Sequence, residues 1–169
     1  MFGDLKRSRI IAYSAAFIAL ITLGSWISVP FVPIPFTLQT LFVLLAGAVM
    51  RRYAVIPAIL YIVLGALGLP VFHNGIGGLG ILLGPTGGYL VGFIFAALLV
   101  GFAYERNSRF LHMSSLAAAT LVIYTFGVAW LMVSTGLNII PAITAGVLPF
   151  IIGDMIKAGA AYLIAQRLP

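Results

Sequence analysis

The sequence predicts an all-α integral membrane protein, a bundle of six transmembrane helices with both termini on the cytoplasmic side. Three observations predict it. Of 169 residues, 63% are hydrophobic and only 7% are charged, and the mean hydropathy is +1.21. That is more apolar surface than a soluble core of this size can hide. The apolar runs mostly have the length needed to cross a hydrocarbon core. With six such runs, all but one of the nine Lys and Arg residues fall on the same side.

The first span, Ile10–Val29, follows the basic residues Lys6, Arg7 and Arg9. A secretory signal begins in a similar way, but this run is long enough to span and more spans follow it. It carries Ala12, Ala15, Ala16 and Ala19, so small residues recur at the four-residue spacing of Ala12/Ala16 and Ala15/Ala19. Such spacings let another helix approach closely, and their place in the cytoplasmic half suggests a partner docking from inside. Pro30, Pro33 and Pro35 precede a short second span, Phe36–Met50, which ends at Arg51 and Arg52. The third span is Tyr53–Leu69.

The next segment, Pro70–Gly88, reads PVFHNGIGGLGILLGPTGG. It is too apolar for an ordinary exposed loop and too Gly-rich for a helix. Irregular backbone at membrane depth is tolerated only where protein or a polar cavity satisfies it. The segment is therefore expected to cap the extracellular mouth of the bundle and to gate it. The fourth span, Thr86–Tyr104, leads to Glu105, Arg106 and Arg109. The fifth is Met113–Ser134, and an uncharged connection, Thr135–Ala145, leads to the sixth, Gly146–Ala165, with Arg167 beyond it.

Lys6, Arg7, Arg9, Arg51, Arg52, Arg106, Arg109 and Arg167 then share one side, and the opposite loops hold no Lys or Arg. By the positive-inside rule both termini are cytoplasmic, in the plasma membrane. The whole of 1–169 forms one transmembrane domain. Each helix running inward has a proline at or near its outer start: Pro35, Pro85 and Pro149. Proline suits a helix's first turn, and free N–H groups with a positive dipole end suit an anion. Alternate helices of any such bundle would also point this way.

The composition excludes several function classes. Without cysteine there is no disulfide, thiolate catalysis or Cys-based metal site. His73 and His112 lie in different expected compartments, so no metal or cofactor is expected. The glycines from Gly75 to Gly84 are followed by no Gly-Lys-Ser/Thr, so the chain has no ATP site of its own. No nucleophile elbow or zinc-protease motif occurs, and the chain is not expected to be an enzyme. The net charge of +6 sits in short clusters between spans, where it meets anionic headgroups of the bilayer rather than nucleic acid.

The remaining cation, Lys157, stands three residues after Asp154 on the last helix, on one face. By rise per residue Asp154 is about 12 Å into that span. An intramembrane charge is expensive, and pairing reduces the cost without explaining the pair. It is either a self-neutralising structural pair or a site for a ligand, an ion or a proton. Thr37, Gln39 and Thr40 fall in the first turns of the second helix, where they either cap it or offer polar groups to a pocket. Tyr89 is either an interfacial belt residue or an aromatic wall. His73 and Asn74 sit in the Gly-rich segment, where a lone histidine is more often structural than a ligand contact.

Four ordered runs make the chain specific: VPIPFTLQTLFVLLAG (32–47), YIVLGALGLPVF (61–72), GPTGGYLVGF (84–93) and LPFIIGDMIKA (148–158). Together they resemble the BioY family, the biotin-specific S components of energy-coupling-factor (ECF) vitamin transporters. The resemblance covers essentially the whole chain. It implies a six-helix subunit that captures biotin from outside with high affinity. Such a subunit works with a transmembrane coupling subunit and two cytoplasmic ATPases, apparently by reorienting in the membrane. It also implies that Ala12, Ala16 and Ala19 dock the coupling subunit.

Asp154 would accept the ureido N–H groups of biotin by charge-assisted hydrogen bonds. Lys157 would donate to the ureido oxygen or hold Asp154 ionised. Thr37 and Gln39 would complete the polar rim, and Tyr89 would pack the thioether ring. Asn74 and Thr86 are candidates near the carboxylate. His73 and Asn74 stand where the resemblance leads one to expect small residues. The alternative reading is a proton-coupled secondary carrier of a small anionic metabolite, with Asp154 titrating and Lys157 modulating it.

Overall fold

The computed structural model describes residues 2–168, with side chains from Arg7 onward. The Lys6 side chain, counted above among the cations, lies outside the described residues. Eight α-helices make up most of the described residues. Helix α1, Phe2–Trp26, leads to a two-residue strand β1, Ser28–Val29, paired antiparallel with β2, Phe36–Thr37. Helix α2, Gln39–Met50, passes through one turn of 3-10 helix, Arg51–Ala54, into α3, Val55–Ala66. A short α4, Leu79–Leu83, precedes α5, Gly87–Tyr104, and α6, Arg109–Thr135. Helix α7, Ile139–Gly146, and α8, Ile151–Ala165, complete the chain.

By length and composition, four stretches can cross a membrane: Arg7–Trp26, Gln39–Ala66, Gly87–Tyr104 and Arg109–Thr135. The pair α7 and α8, bent by 52° across a short break, could form a fifth. Gln39–Ala66 is not one rod. The side-chain amide of Gln39 donates to the Tyr61 hydroxyl at 2.6 Å, although a straight helix would hold these residues about 33 Å apart. The chain reverses at Arg51, which takes φ 56°, ψ −140°, a conformation no helix uses. Many large apolar side chains face outward, such as Ile152, Leu121 and Val133. A lipid-facing surface allows this; a soluble domain of this size would not expose so much.

Local chemistry sets the helix ends. Ser108 caps α6 by accepting from the Leu111 N–H, and Gly136 ends it at φ 73° with its N–H on the Met132 carbonyl, the left-handed close that glycine adopts without a Cβ penalty. Helices α5 and α6 pack closely because Gly88 and Gly92, one turn apart, face Phe126 and Ile123. A methyl group at Gly88 would strike the Phe126 carbonyl, so Gly88→Ala is expected to cost about 1–3 kcal/mol by overpacking. Thermal unfolding in detergent micelles should show a lowered midpoint; an unchanged one would mean the helices separate easily.

Several expectations change. The first span, expected over Ile10–Val29, ends at Trp26, because Val29 pairs with Phe36. The second helix begins at Gln39 rather than Phe36, because Phe36 and Thr37 pair with β1. The connection 135–145 is largely the helix α7, which its apolar residues and Pro141 in the first turn allow. The last span is broken at 147–150, next to Pro149, so α8 starts at Ile151. Pro35, Pro85 and Pro149 accordingly stand just ahead of α2, α5 and α8 rather than in their first turns. The Gly-rich segment, expected to be too rich in glycine for a helix, holds the five-residue α4 where Leu and Ile cluster, with irregular backbone around it.

The two ends of the bundle differ. At one, Arg52 Nε lies 2.8 Å from Glu105 Oε1, and Gly101 lies against the Arg51 backbone. At the other, Trp26 donates to the Pro70 carbonyl and Trp130 to the Gly84 carbonyl, both at 3.0 Å. These two bonds tie the ends of the Gly-rich segment to α1 and α6.

Candidate binding site

Helix α8 brings Asp154 and Lys157 into the interior. Their exposures are 4% and 5%. Because α8 starts late, Asp154 sits in its first turn, where the helix's positive end favours a carboxylate. Lys157 Nζ donates to Asp154 Oδ1 at 2.8 Å, to the Thr37 carbonyl at 2.6 Å and to Thr40 Oγ1 at 3.2 Å. All three ammonium protons are therefore engaged. The charge also lies 3.8 Å from the centroid of the Phe36 ring, a cation–π contact. Thr40 Oγ1 donates to Asp154 Oδ1 at 3.0 Å, and the Tyr124 hydroxyl donates to Oδ2 at 2.6 Å. Every charged atom is paired or hydrogen-bonded, as a buried pair requires.

This cluster forms one wall of a cavity closed by the β1–β2 turn, the Gly-rich segment and α2, α5 and α6. Thr37, Gln39, Thr40, Phe72, His73, Thr86, Tyr89, Leu90, Phe93, Ile123, Tyr124, Phe150, Asp154 and Lys157 line it, with Ile34 and Pro35. Its chemistry is divided. Thr40, Tyr124 and Lys157 gather around Asp154, and most of the rest is apolar and aromatic, with His73 and Thr86 on the Gly-rich segment, the usual make-up of a small-molecule pocket. Thr37 Oγ1 donates to Gln39 Oε1 at 3.0 Å, and Gln39 in turn donates to Tyr61. The Tyr61 hydroxyl passes its proton-donor bond to the Val71 carbonyl at 2.8 Å. Tyr89 is held by its hydroxyl on the Gly146 carbonyl at 2.9 Å. Phe36 and Phe150 stack with centroids 6.0 Å apart.

Of the residues singled out in the sequence, Thr37, Gln39, Thr86, Tyr89, Asp154 and Lys157 meet at this one cavity. Asn74 is not on its wall; its Oδ1 accepts from Ser28 Oγ at 3.0 Å. Ala12, Ala16 and Ala19 lie elsewhere, exposed on α1. Tyr124 and Tyr61 were not foreseen. Both sit in mid-helix within uniformly apolar runs, where a tyrosine hydroxyl was the available signal because it needs a partner when buried.

Asp154 and Tyr124 also border a second, wider groove on the flank of the bundle, between α6 and α8. Its other walls are apolar apart from two hydroxyls, and include Leu116, Leu121, Ile151 and Met155.

Comparison with known proteins gives matches along nearly the whole chain. The profile described as the BioY family matches residues 3–169. The biotin transporter BioY of Thermotoga maritima is 45% identical over 154 residues, 90% of each chain. A probable biotin transporter BioY of Pyrococcus horikoshii is 40% identical, covering 96% of this chain and 97% of its own. The crystal structure of the S-component for biotin from an ECF-type ABC transporter superposes with a TM-score of 0.87 at 27% identity, covering 97% of this chain and 92% of that one. With a matching family profile over nearly its whole length, close relatives and a shared fold, this chain, a multi-pass membrane protein, belongs to the BioY family.

Proposed function

We propose that the chain is the biotin-binding S component of an ECF-type importer. It takes biotin from the outer face and passes it inward with a transmembrane coupling subunit and two cytoplasmic ATPases. The observation that carries the reading is the buried Asp154–Lys157 pair set in the wall of an otherwise largely apolar and aromatic cavity. A purely structural pair would have no need of a cavity beside it.

The cluster supports a division of labour. Lys157 has each proton on a protein acceptor, so it holds Asp154 ionised and in place. Among the described residues Asp154 Oδ2 accepts from Tyr124 alone, and its one spare lone pair suits a ureido N–H of biotin. Thr37 and Gln39 supply the polar rim. Tyr89, Phe72 and Phe93 supply the wall against the thioether ring. Thr86 stands toward the Gly-rich segment, on the side of the ligand's tail, and Asn74 stiffens that segment through Ser28. The segment caps the outer mouth.

The reversal at Arg51 and the bent pair α7–α8 support six crossings: α1, α2, α3, α5, α6 and the α7–α8 pair. Arg51, Arg52, Glu105 and Arg106 would then lie at the cytoplasmic end with both termini. The test is mass spectrometry of ligand released from detergent-purified protein, followed by titration of the stripped protein with biotin. Co-purified biotin and one-to-one rebinding are expected. Folded protein that holds and rebinds none would overturn the reading.

Docking is separable from capture. Ala12, Ala16 and Ala19 are exposed on α1, and none of them lines the cavity. Ala16→Trp is expected to leave biotin affinity within about twofold, roughly 0.4 kcal/mol. It should abolish both co-purification with the coupling subunit and ATP-driven uptake. Retained uptake would place the coupling surface elsewhere.

A further inference from the structure

We propose that His73 receives the ligand's free carboxylate, so that this chain selects biotin as the acid against its neutral amide. The inference rests on the biotin reading above and names a residue that reading does not use. His73 lines the cavity on the side of the Gly-rich segment. Its Nδ1 is buried and has no hydrogen-bond partner among the described residues. Native structures leave few buried polar atoms in that condition, and each one calls for an explanation.

Elimination points the same way. Of the cavity-lining side chains, only Lys157 and His73 can carry positive charge, and the protons of Lys157 are engaged by Thr37, Thr40 and Asp154. Thr86 Oγ1 already donates to the Ile81 carbonyl at 3.4 Å, and Asn74 is turned to Ser28. Between Tyr53 and Tyr104 the chain has no Lys or Arg. An anionic tail leaving the Asp154 end of the cavity thus meets His73 as a ring nitrogen that no described residue engages.

The backbone around His73 is tied down. The Val71 carbonyl, two residues before it, accepts from both Ser25 Oγ at 2.7 Å and Tyr61 Oη at 2.8 Å. Beyond it, Asn74 takes φ 59°, a turn that asparagine tolerates. The Phe72 N–H donates to the Ile76 carbonyl at 3.0 Å and closes the turn. Burial pushes the His73 pKa below its ordinary 6.5, so at neutral pH the ring is uncharged and carries one N–H. In the Nδ1–H tautomer it donates to a carboxylate oxygen.

The experiment is calorimetric titration of stripped, full-length protein in detergent with biotin and with biotinamide, for wild type, His73→Ala and His73→Gln. Wild type should bind biotin about tenfold tighter than biotinamide, the size of one hydrogen bond to a charged group. His73→Ala should lose that factor for biotin and keep its biotinamide affinity within about twofold, which also shows that it folds. His73→Gln, which keeps a neutral donor, should recover part of the preference. An undiminished preference in His73→Ala would overturn the assignment. So would equal losses for both ligands, or no preference in wild type. Wild-type protein that binds neither ligand would instead overturn the biotin reading itself.

Discussion

Asp154→Asn is expected to lower biotin affinity by on the order of a hundredfold. The carboxylate is the one anionic group in the cavity, and its Oδ2 has spare acceptor capacity. Hydrogen bonds to a charged partner contribute about 1.5–3 kcal/mol each. Losing the one such bond that the open acceptor site can take removes up to about 3 kcal/mol, about two tenfold steps in the dissociation constant. The amide would also present an NH2 group where a ureido N–H must donate. The fold should survive, because the amide oxygen can still accept from Lys157, which keeps the Thr37 carbonyl, the Thr40 hydroxyl and the Phe36 ring. Titration calorimetry measures the loss, with a melting curve to show that the protein is folded. Wild-type affinity in the variant would remove Asp154 from the ureido site.

The opposite change acts on stability. Lys157→Met leaves Asp154 as a buried charge with only Thr40 and Tyr124 as donors. Removing one partner of a buried pair typically costs about 3–5 kcal/mol, so a strongly lowered unfolding midpoint is expected. The double variant Lys157→Met, Asp154→Leu has no charge to bury. It should recover most of that stability, since apolar replacements of buried pairs are often neutral or better, yet bind no biotin. Recovery of stability without binding would separate the pair's functional role from its structural one. A single variant that melts like wild type would show that the pair is not needed to hold the helices together.

Much of this architecture was legible in the sequence because hydropathy reports which stretches lie in lipid. Asp154 and Lys157 were visible as a pair because i and i+3 share a helix face whatever the tertiary fold. Hydropathy does not report backbone direction. The run through Gly146 and Pro149 is apolar throughout, so the break ahead of α8 left no mark except the proline, which also fits a helix's first turn. That break moves Asp154 from mid-span to the first turn of α8. Gln39 appeared as a polar group near a helix start, but its partner Tyr61 lies 22 residues away on a helix folded back against it. Tyr124 meets Asp154 across 30 residues. No local period encodes such pairings. In helices that are apolar all round, the pattern does not say which face is inside.

The hydrogen-bonded residues Tyr124 and Asp154 stand between the cavity and the groove of α6 and α8. Asp154 thus borders both the cavity and the groove, whereas Lys157 lines the cavity alone. Coulomb attraction varies inversely with the local dielectric, so whatever fills the groove sets part of the medium in which Asp154 and Lys157 attract each other. A groove packed with hydrocarbon tails strengthens that attraction, and one wetted by a loose micelle weakens it. Biotin affinity is therefore expected to depend on the solvent of the groove, and a difference between values measured in lipid nanodiscs and in detergent would register it.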